Sequence, residues 1–264
     1  MQPVIAQPVS DVDSVLSTFA SHGLSDLNNS SLMNRVDSKF VVNREHLALI
    51  LERCRDHYSV LEIDDLRTFK YHSCYYDTDQ LDFFQRHQRG KLNRIKLRHR
   101  RYVDTDSSFF ELKFKNNKGR TLKSRISTCN DPLEALTQAQ SFLSDKRVSE
   151  ASDLRVVQSG EYKRISLANE EIGERLTIDC DLSFLNMKTW QSKSLNNIVI
   201  FELKQHRHNR RSPFYQLMRE MSIRPQSFSK YCMGMTLTSE EDLRANRFKK
   251  NLLTLNKIEQ QRVY

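Results

Sequence analysis

The chain has 264 residues, room for one large domain or two small ones. Its 42 Lys and Arg outnumber 33 Asp and Glu, a formal charge of +9 that asks for an anionic partner: nucleic acid, acidic lipid or a phosphorylated molecule. Six glycines, five prolines and no sustained heptads exclude collagen, mucin and coiled coil, and fourteen Phe with nine Tyr exclude wholesale disorder. No apolar run approaches the ~20 residues of a membrane-spanning helix. The N-terminal residues carry neither a basic stretch nor an apolar core of a signal peptide. Five scattered cysteines without a Cys-x-x-Cys pair read as reduced thiols, so a cytoplasmic protein is expected.

In chain order, a short helix is predicted over Asp13 to Ala20, capped by Asp11 or Asp13. A loop follows at Asn28 to Ser31, then a strand from Arg35 to Val42. Asn43 reads as an N-cap for a helix whose face is Leu47, Ile50, Leu51 and Cys54. Phe69 to Asp77 reads as a strand, 79–88 as a helix broken at Gly90, and Asp77 as its cap through 79–80. Strands follow at Asn93–Val103, Ser108–Lys115 and Thr121–Ser127, with Gly119 in the turn between the last two. Asp131-Pro132 opens a helix, and 145–153 is a polar connection. Strands resume at Leu154–Leu167, Leu176–Phe184 and Ile198–Lys204. Ser212-Pro213 opens another helix, and a basic amphipathic tail begins at Ser239. Strands outnumber helices and the connections are short, which predicts an antiparallel sheet.

Where the charges sit is the main clue. Arg94, Lys96, Arg98 and Arg100 share one strand face, with Ile95 and Leu97 on the other. The same alternation joins Glu111, Lys113 and Lys115; Lys123 and Arg125; Tyr162 and Arg164; Arg175, Thr177, Asp179 and Asp181; Glu202 and Lys204; and Arg35, Asp37 and Lys39. For one strand a merely solvated face explains this. Over many strands it does not, because like charges opposite each other destabilise a sheet unless an anion neutralises them. Closed into a barrel, such a sheet has a cationic lumen and an apolar exterior that helices must cover. Arg and Lys in that lumen suit a phosphate chain, and the few carboxylates suit a divalent metal bridging to phosphate oxygens.

These segments resemble the VTC domain, the polyphosphate-polymerase branch of the triphosphate tunnel metalloenzymes (the CYTH-like superfamily). The matching stretches are Arg35 to Phe40, Tyr75 to Thr78, Lys96 to Tyr102, Phe110 to Lys113, Gly119 to Arg125, Tyr162 to Arg164, Arg175 to Asp179, Phe201 to Lys204 and Phe228 to Tyr231, in order over about residues 32–236. The resemblance implies an α+β fold: a closed eight-stranded antiparallel barrel, the triphosphate tunnel, with helices packed outside. It implies transfer of the ATP γ-phosphate to a growing polyphosphate chain, with Mn2+ or Mg2+ as cofactor. Lys39, Arg98, Arg100, Lys113 and Glu202 are then the catalytic candidates. Lys123, Arg125, Arg164, Arg175, Lys204 and Lys230 are the phosphate-binding candidates. Glu202 is the metal ligand, with Glu111 a weaker candidate that balances charge beside Lys113. The hydrolase and cyclase branches begin with two acids and a Lys on one strand face. Here those positions hold Arg35, Asp37 and Lys39, which favours the polymerase branch.

The expected organisation is a polar N-terminal segment with a short helix (1–31), the tunnel domain (32–236) and a basic C-terminal helix or tail (237–264). His206 and His208, flanked by Arg207, Arg210 and Arg211, read as an exposed basic loop rather than metal ligands. Tyr75, Tyr76, Tyr102, Phe83 and Phe84 read as packing, and Arg244, Arg247, Lys249 and Lys250 as a solvated helix face. The competing functions are a tripolyphosphatase or nucleoside triphosphatase on the same fold, a non-catalytic polyphosphate-binding module, and a nucleic-acid binder. Charge in register on strand faces argues against the last, which wants exposed aromatics among exposed cations. The expected ligands are ATP and polyphosphate or triphosphate, with no nucleic acid. A membrane-protein partner would have to carry out any export, and the oligomeric state stays open.

Overall fold

The computed structural model describes residues 11–26, 36–118, 120–239 and 243–260. The strands are β1 (Ser21–His22), β2 (Val36–Asn43), β3 (Ser59–Leu61), β4 (Phe69–Asp77), β5 (Arg94–Tyr102), β6 (Ser107–Lys115), β7 (Thr121–Thr128), β8 (Arg155–Asn169), β9 (Glu174–Asn186), β10 (Ser192–Leu195) and β11 (Ile198–Gln205). The helices are α1 (Val12–Ser17), α2 (Leu47–Cys54), α3 (Asp82–Gln88), α4 (Pro132–Gln138), α5 (Gln140–Asp145), α6 (Pro213–Glu220), α7 (Lys230–Thr238) and α8 (Lys249–Gln260). All the strands belong to one sheet. Its main path runs β2-β11-β9-β8-β4-β5-β6-β7, antiparallel at every step.

Alternation gives the sheet two faces of opposite chemistry. On the outer face, Phe40, Val42, Ile178, Val199, Phe201 and Leu203 pack against Leu16 of α1, Leu47 and Leu51 of α2, and Phe214 and Met218 of α6. Further round, Leu97, Phe110 and Leu112 pack against Phe83 of α3 and Leu143 of α5. The helices are therefore outside, as the apolar parity requires. They start where the sequence marks them. Asp131 accepts from the backbone N–H of Leu133 and Glu134, and Ser212 from that of Tyr215, each followed by Pro at the first turn.

The inner face is divided along its length. At one end Val41, Tyr75, Leu182, Ile198 and Ile200 enclose Tyr231, Cys232, Met233 and Met235 of α7. A Cβ on Gly234 would lie 2.4 Å from Gln158 Nε2 and 2.7 Å from Phe184 Cδ1, so only glycine lets α7 approach this closely. The rest of the inner face carries the charged rows. The C-terminal α8 folds back onto the body: Leu255 is buried and Asn43 Nδ2 donates to the Ile258 carbonyl at 3.4 Å.

The structure corrects four expectations. The sheet has eleven strands rather than eight, and it does not close into a barrel: β2 and β7, the ends of the path, do not pair among the described residues. At the outer edge of β2 the Lys39 carbonyl accepts instead from Gln226 N at 2.8 Å. The facing edge strand, β7, is polar, with exposed Thr121, Lys123, Arg125 and Ser127, a composition that resists edge pairing. Second, Asp181 does not share the face of Asp179. The β8–β9 register shifts between Glu161 and Lys163, and Asp181 takes φ 51 in that bulge. Its carboxylate there meets Arg44 and Lys163. Third, Asp77 caps α3 later than expected, accepting from Phe83 N and Phe84 N at 2.9 Å each. Fourth, α7 and the hairpin strand β10 replace stretches without a predicted element. Arg35, Gly119 and the expected loop at 28–31 lie outside the described residues.

Candidate functional site

Strand register carries the charged side chains into rows across the inner face. Lys39 stands opposite Glu202, Glu202 opposite Thr177, and Lys204 opposite Arg175. Arg164 stands opposite Asp179, Arg98 opposite Glu111, Lys96 opposite Lys113, and Lys113 opposite Lys123. The curl of the sheet then brings its two ends together. Lys113 on β6 lies within electrostatic reach of Glu202 on β11 and Lys39 on β2, although these strands stand at opposite ends of the path.

Glu202 is the centre of the array. Lys39 donates to its Oε1, and Lys204 Nζ lies 3.5 Å from Oε2. Burial opposes its ionisation, but Lys204 and Lys39 outweigh burial and hold the carboxyl well below its ordinary range. The surrounding lysines are not fully compensated. Loss of hydration pushes Lys113 down to about 7, with Lys123, Lys39 and Lys96 adding to the shift. Its side chain retains solvent access, so the crowding of ammonium groups matters there as well as burial. Lys204 is pushed down to about 8, again chiefly by desolvation. Its Nζ also donates to Thr177 Oγ1 at 2.7 Å.

Several of the expected ligands are held by carboxylates. Arg164 grips Asp179 bidentately, Nε to Oδ1 at 2.6 Å and Nη2 to Oδ2 at 2.8 Å, and Lys230 donates to the same carboxylate. Glu111 accepts from Arg98 and acts as its counter-ion. Arg100 is buried and lies 5.4 Å from the Tyr71 ring centroid, with no hydrogen-bond partner for its Nε among the described residues. Arg125 stacks at 4.4 Å on Phe109. Lys123 and Arg125 occupy the exposed strand β7. The expected site residues on the strands therefore fall on one continuous face, graded from buried ion pairs to an open cationic edge, and Lys230 reaches it from α7.

The structure adds residues that sequence reasoning left out. Ser229 caps α7 by accepting from Cys232 N at 3.3 Å, and it accepts from Lys96 Nζ at 2.8 Å. The N-terminus of α7, with Lys230 as its first residue, thus presents its positive end to the cationic rows, as an anion site requires. Tyr162 is buried with Lys230 Nζ 4.3 Å from its ring centroid and no hydrogen-bond partner for its hydroxyl among the described residues. Burial pushes that phenol up, but Arg100, Arg164 and Lys230 outweigh it and hold it below its ordinary value. Strand parity had already placed Lys96 and Tyr162 on the charged faces, without counting them among the site residues. Nothing local would have found Ser229.

No group of three or more His, Cys, Asp and Glu able to hold a metal occurs among the described residues. The donor set instead suits a hard cation that arrives on phosphate oxygens, because Mg2+ is commonly bound through one or two carboxylates and otherwise by phosphates and water. Glu202 is the carboxylate at the centre of the cationic rows. His206 and His208 are exposed in the basic turn after β11, which leaves them outside this array. No helix among the described residues is long and apolar enough to cross a membrane.

Comparison with known proteins bears on this arrangement. Among solved structures, a putative adenylate cyclase from Bacillus halodurans is 16% identical over 74% of this chain and 94% of its own, with a TM-score of 0.49. A putative adenylyl cyclase from Hippeastrum, described as having a dominant triphosphatase activity, is 13% identical over 78% of this chain and 98% of its own, with a TM-score of 0.46. No curated protein matches the chain. The family model of the VTC domain matches residues 34–239, the stretch that holds every charged row described above, and the chain belongs to the VTC domain family.

Proposed function

We propose that this protein is a metal-dependent polyphosphate polymerase, transferring the γ-phosphoryl group of ATP onto a polyphosphate chain held along the inner face of the sheet. The observation that carries the reading is the setting of Glu202: one carboxylate among Lys39, Lys204 and Lys113, on a face otherwise dominated by cations. Phosphoryl transfer asks the protein mainly for positioning and charge stabilisation. Lys39, Lys113 and Lys204 would hold the non-bridging oxygens of the donor. Arg98 and Arg100 would hold those of the acceptor chain, whose terminal oxygen attacks the γ-phosphorus as its bond to the β–γ bridging oxygen breaks. Lys123, Arg125 and Arg175 would hold more distant phosphates. Arg164 and Lys230, both fixed by Asp179, would keep the wall rigid. A divalent cation, Mg2+ or Mn2+, would be held by Glu202 and would neutralise charge on the donor phosphates.

The test is direct. Purified protein is incubated with ATP and Mn2+, and the products are resolved by length on a gel. A ladder sensitive to polyphosphatase supports the reading. Release of orthophosphate from tripolyphosphate without chain growth means a hydrolase on the same face. Tight polyphosphate binding without turnover means a binding module.

A further inference from the structure

A row of aromatic rings crosses the charged inner face. Register places Tyr71 on β4 directly between Tyr162 on β8 and Tyr102 on β5. Phe109 on β6 stands opposite Arg100, on the same face. The four rings touch in order across the strands. Tyr162 stacks on Tyr71 with centroids 5.2 Å apart and an interplanar angle of 14°. Tyr71 meets Tyr102 at 4.9 Å, and Tyr102 meets Phe109 edge-on at 5.8 Å.

Two guanidinium groups share the Tyr71 ring. Arg164 Cζ lies 5.1 Å from its centroid and 5.4 Å from that of Tyr162, and Arg100 Cζ lies 5.4 Å from the Tyr71 centroid. Register accounts for this. Arg164 stands opposite Phe69 and Arg100 opposite Ser73, the residues two places either side of Tyr71, so Tyr71 is the diagonal neighbour of both. A cation at this distance is drawn to the negative face of a ring, the more so where water is scarce, and Tyr71 and Arg100 are both buried.

The arginines of this face differ in what else holds them. Asp179 grips Arg164 through Nε and Nη2, and Arg98 donates to Glu111. Arg100 has no ion pair, and its Nε no hydrogen-bond partner, among the described residues. A carboxylate occupies the N–H fork of an arginine. A ring takes the guanidinium by its face and leaves the in-plane donors to phosphate oxygens.

We propose that Tyr71 is a positioning residue for the acceptor chain: its ring fixes the Arg100 guanidinium by a cation–π contact, so that the fork is set before polyphosphate arrives. This rests on the polyphosphate reading of the inner face. The gain is preorganisation, because a long side chain already held loses less freedom on binding.

The experiment measures binding of long-chain inorganic polyphosphate to the full chain by calorimetry in Mg2+ buffer. Tyr71→Phe keeps the ring and is expected to bind within ~2-fold of the unaltered protein. Tyr71→trifluorophenylalanine keeps the shape of that ring but drains its negative face, and is expected to weaken binding ~3–5-fold relative to Tyr71→Phe. On an Arg100→Ala background the same exchange of rings should change binding by less than ~1.5-fold. Equal binding by the two ring variants overturns the proposal, because a ring that only fills space does not distinguish them. A fluorination loss that persists undiminished on the Arg100→Ala background overturns it too, since the ring then does not act through Arg100. Either result leaves the polyphosphate reading standing. Failure of the unaltered protein to bind polyphosphate overturns that reading, and the role of Tyr71 with it.

Discussion

Lys113 and Lys204 hold their protons less firmly than ordinary lysines, at about 7 and about 8, because burial and neighbouring ammonium groups disfavour the charge. A polyanion reverses that balance, so binding is coupled to proton uptake. Affinity for tripolyphosphate is expected to fall as pH rises through and above the ligand-free lysine values. Calorimetry in buffers of different ionisation enthalpy would read the proton taken up, and Lys113→Gln should reduce it. The stability consequence has the opposite sign. The folded values lie below the ordinary lysine value of ~10.4, so between about pH 7 and 10 the unfolded chain binds more protons than the fold. Stability of the ligand-free protein then rises with pH across that window, and Lys113→Met should raise the ligand-free melting temperature while weakening anion binding. Glu202→Gln removes the carboxylate from between Lys39 and Lys204. Turnover is expected to fall at least ~100-fold with polyphosphate binding retained, a split that titration and product gels together would show.

At the scale of elements, β-strand parity was legible because a period of two is rigid. Arg98, Arg100, Lys113, Glu202 and Lys204 alternate with Leu97, Leu112, Phe201 and Leu203, and each falls on the face that the alternation assigns. The rule failed at Asp181, where one extra residue opposite Tyr162 turns the side chain away from its row. It also could not see α7. Lys230-Tyr-Cys-Met-Gly-Met-Thr-Leu-Thr238 has no polar stripe, because the helix is enclosed by the sheet, and its central Gly234 reads locally as a helix breaker. That glycine answers to tertiary contact with Gln158 and Phe184 instead. Gly234→Ala is expected to lower stability by ~1–3 kcal/mol by overpacking, and to weaken polyphosphate binding through displacement of Ser229 and Lys230. Denaturant unfolding and binding of the same variant would show the two losses together. Asp77→Ala tests the other support of α7. Asp77 caps α3 and accepts from the Tyr231 hydroxyl at 2.5 Å, so its loss should cost ~2–4 kcal/mol.

For the whole molecule, composition and charge already pointed to an anion-binding antiparallel sheet with its helices outside. They could not say whether the sheet closes. Closure depends on the two strands at the ends of the path, and those are β2, engaged at its edge by Gln226, and the polar β7. The outcome is a curled sheet whose charged rows still converge on Glu202 from both ends, with α7 filling one end of the concave face. Such a face can hold an extended anion with one end beside one carboxylate, which is what the proposed chain growth asks of it. The most direct measurement is the length-resolved gel of products from ATP and Mn2+, run with the unaltered protein and with Glu202→Gln side by side. Polyphosphatase-sensitive chains from the first and none from the second are expected. Orthophosphate without chains from the unaltered protein, or chains undiminished in Glu202→Gln, would contradict the assignment.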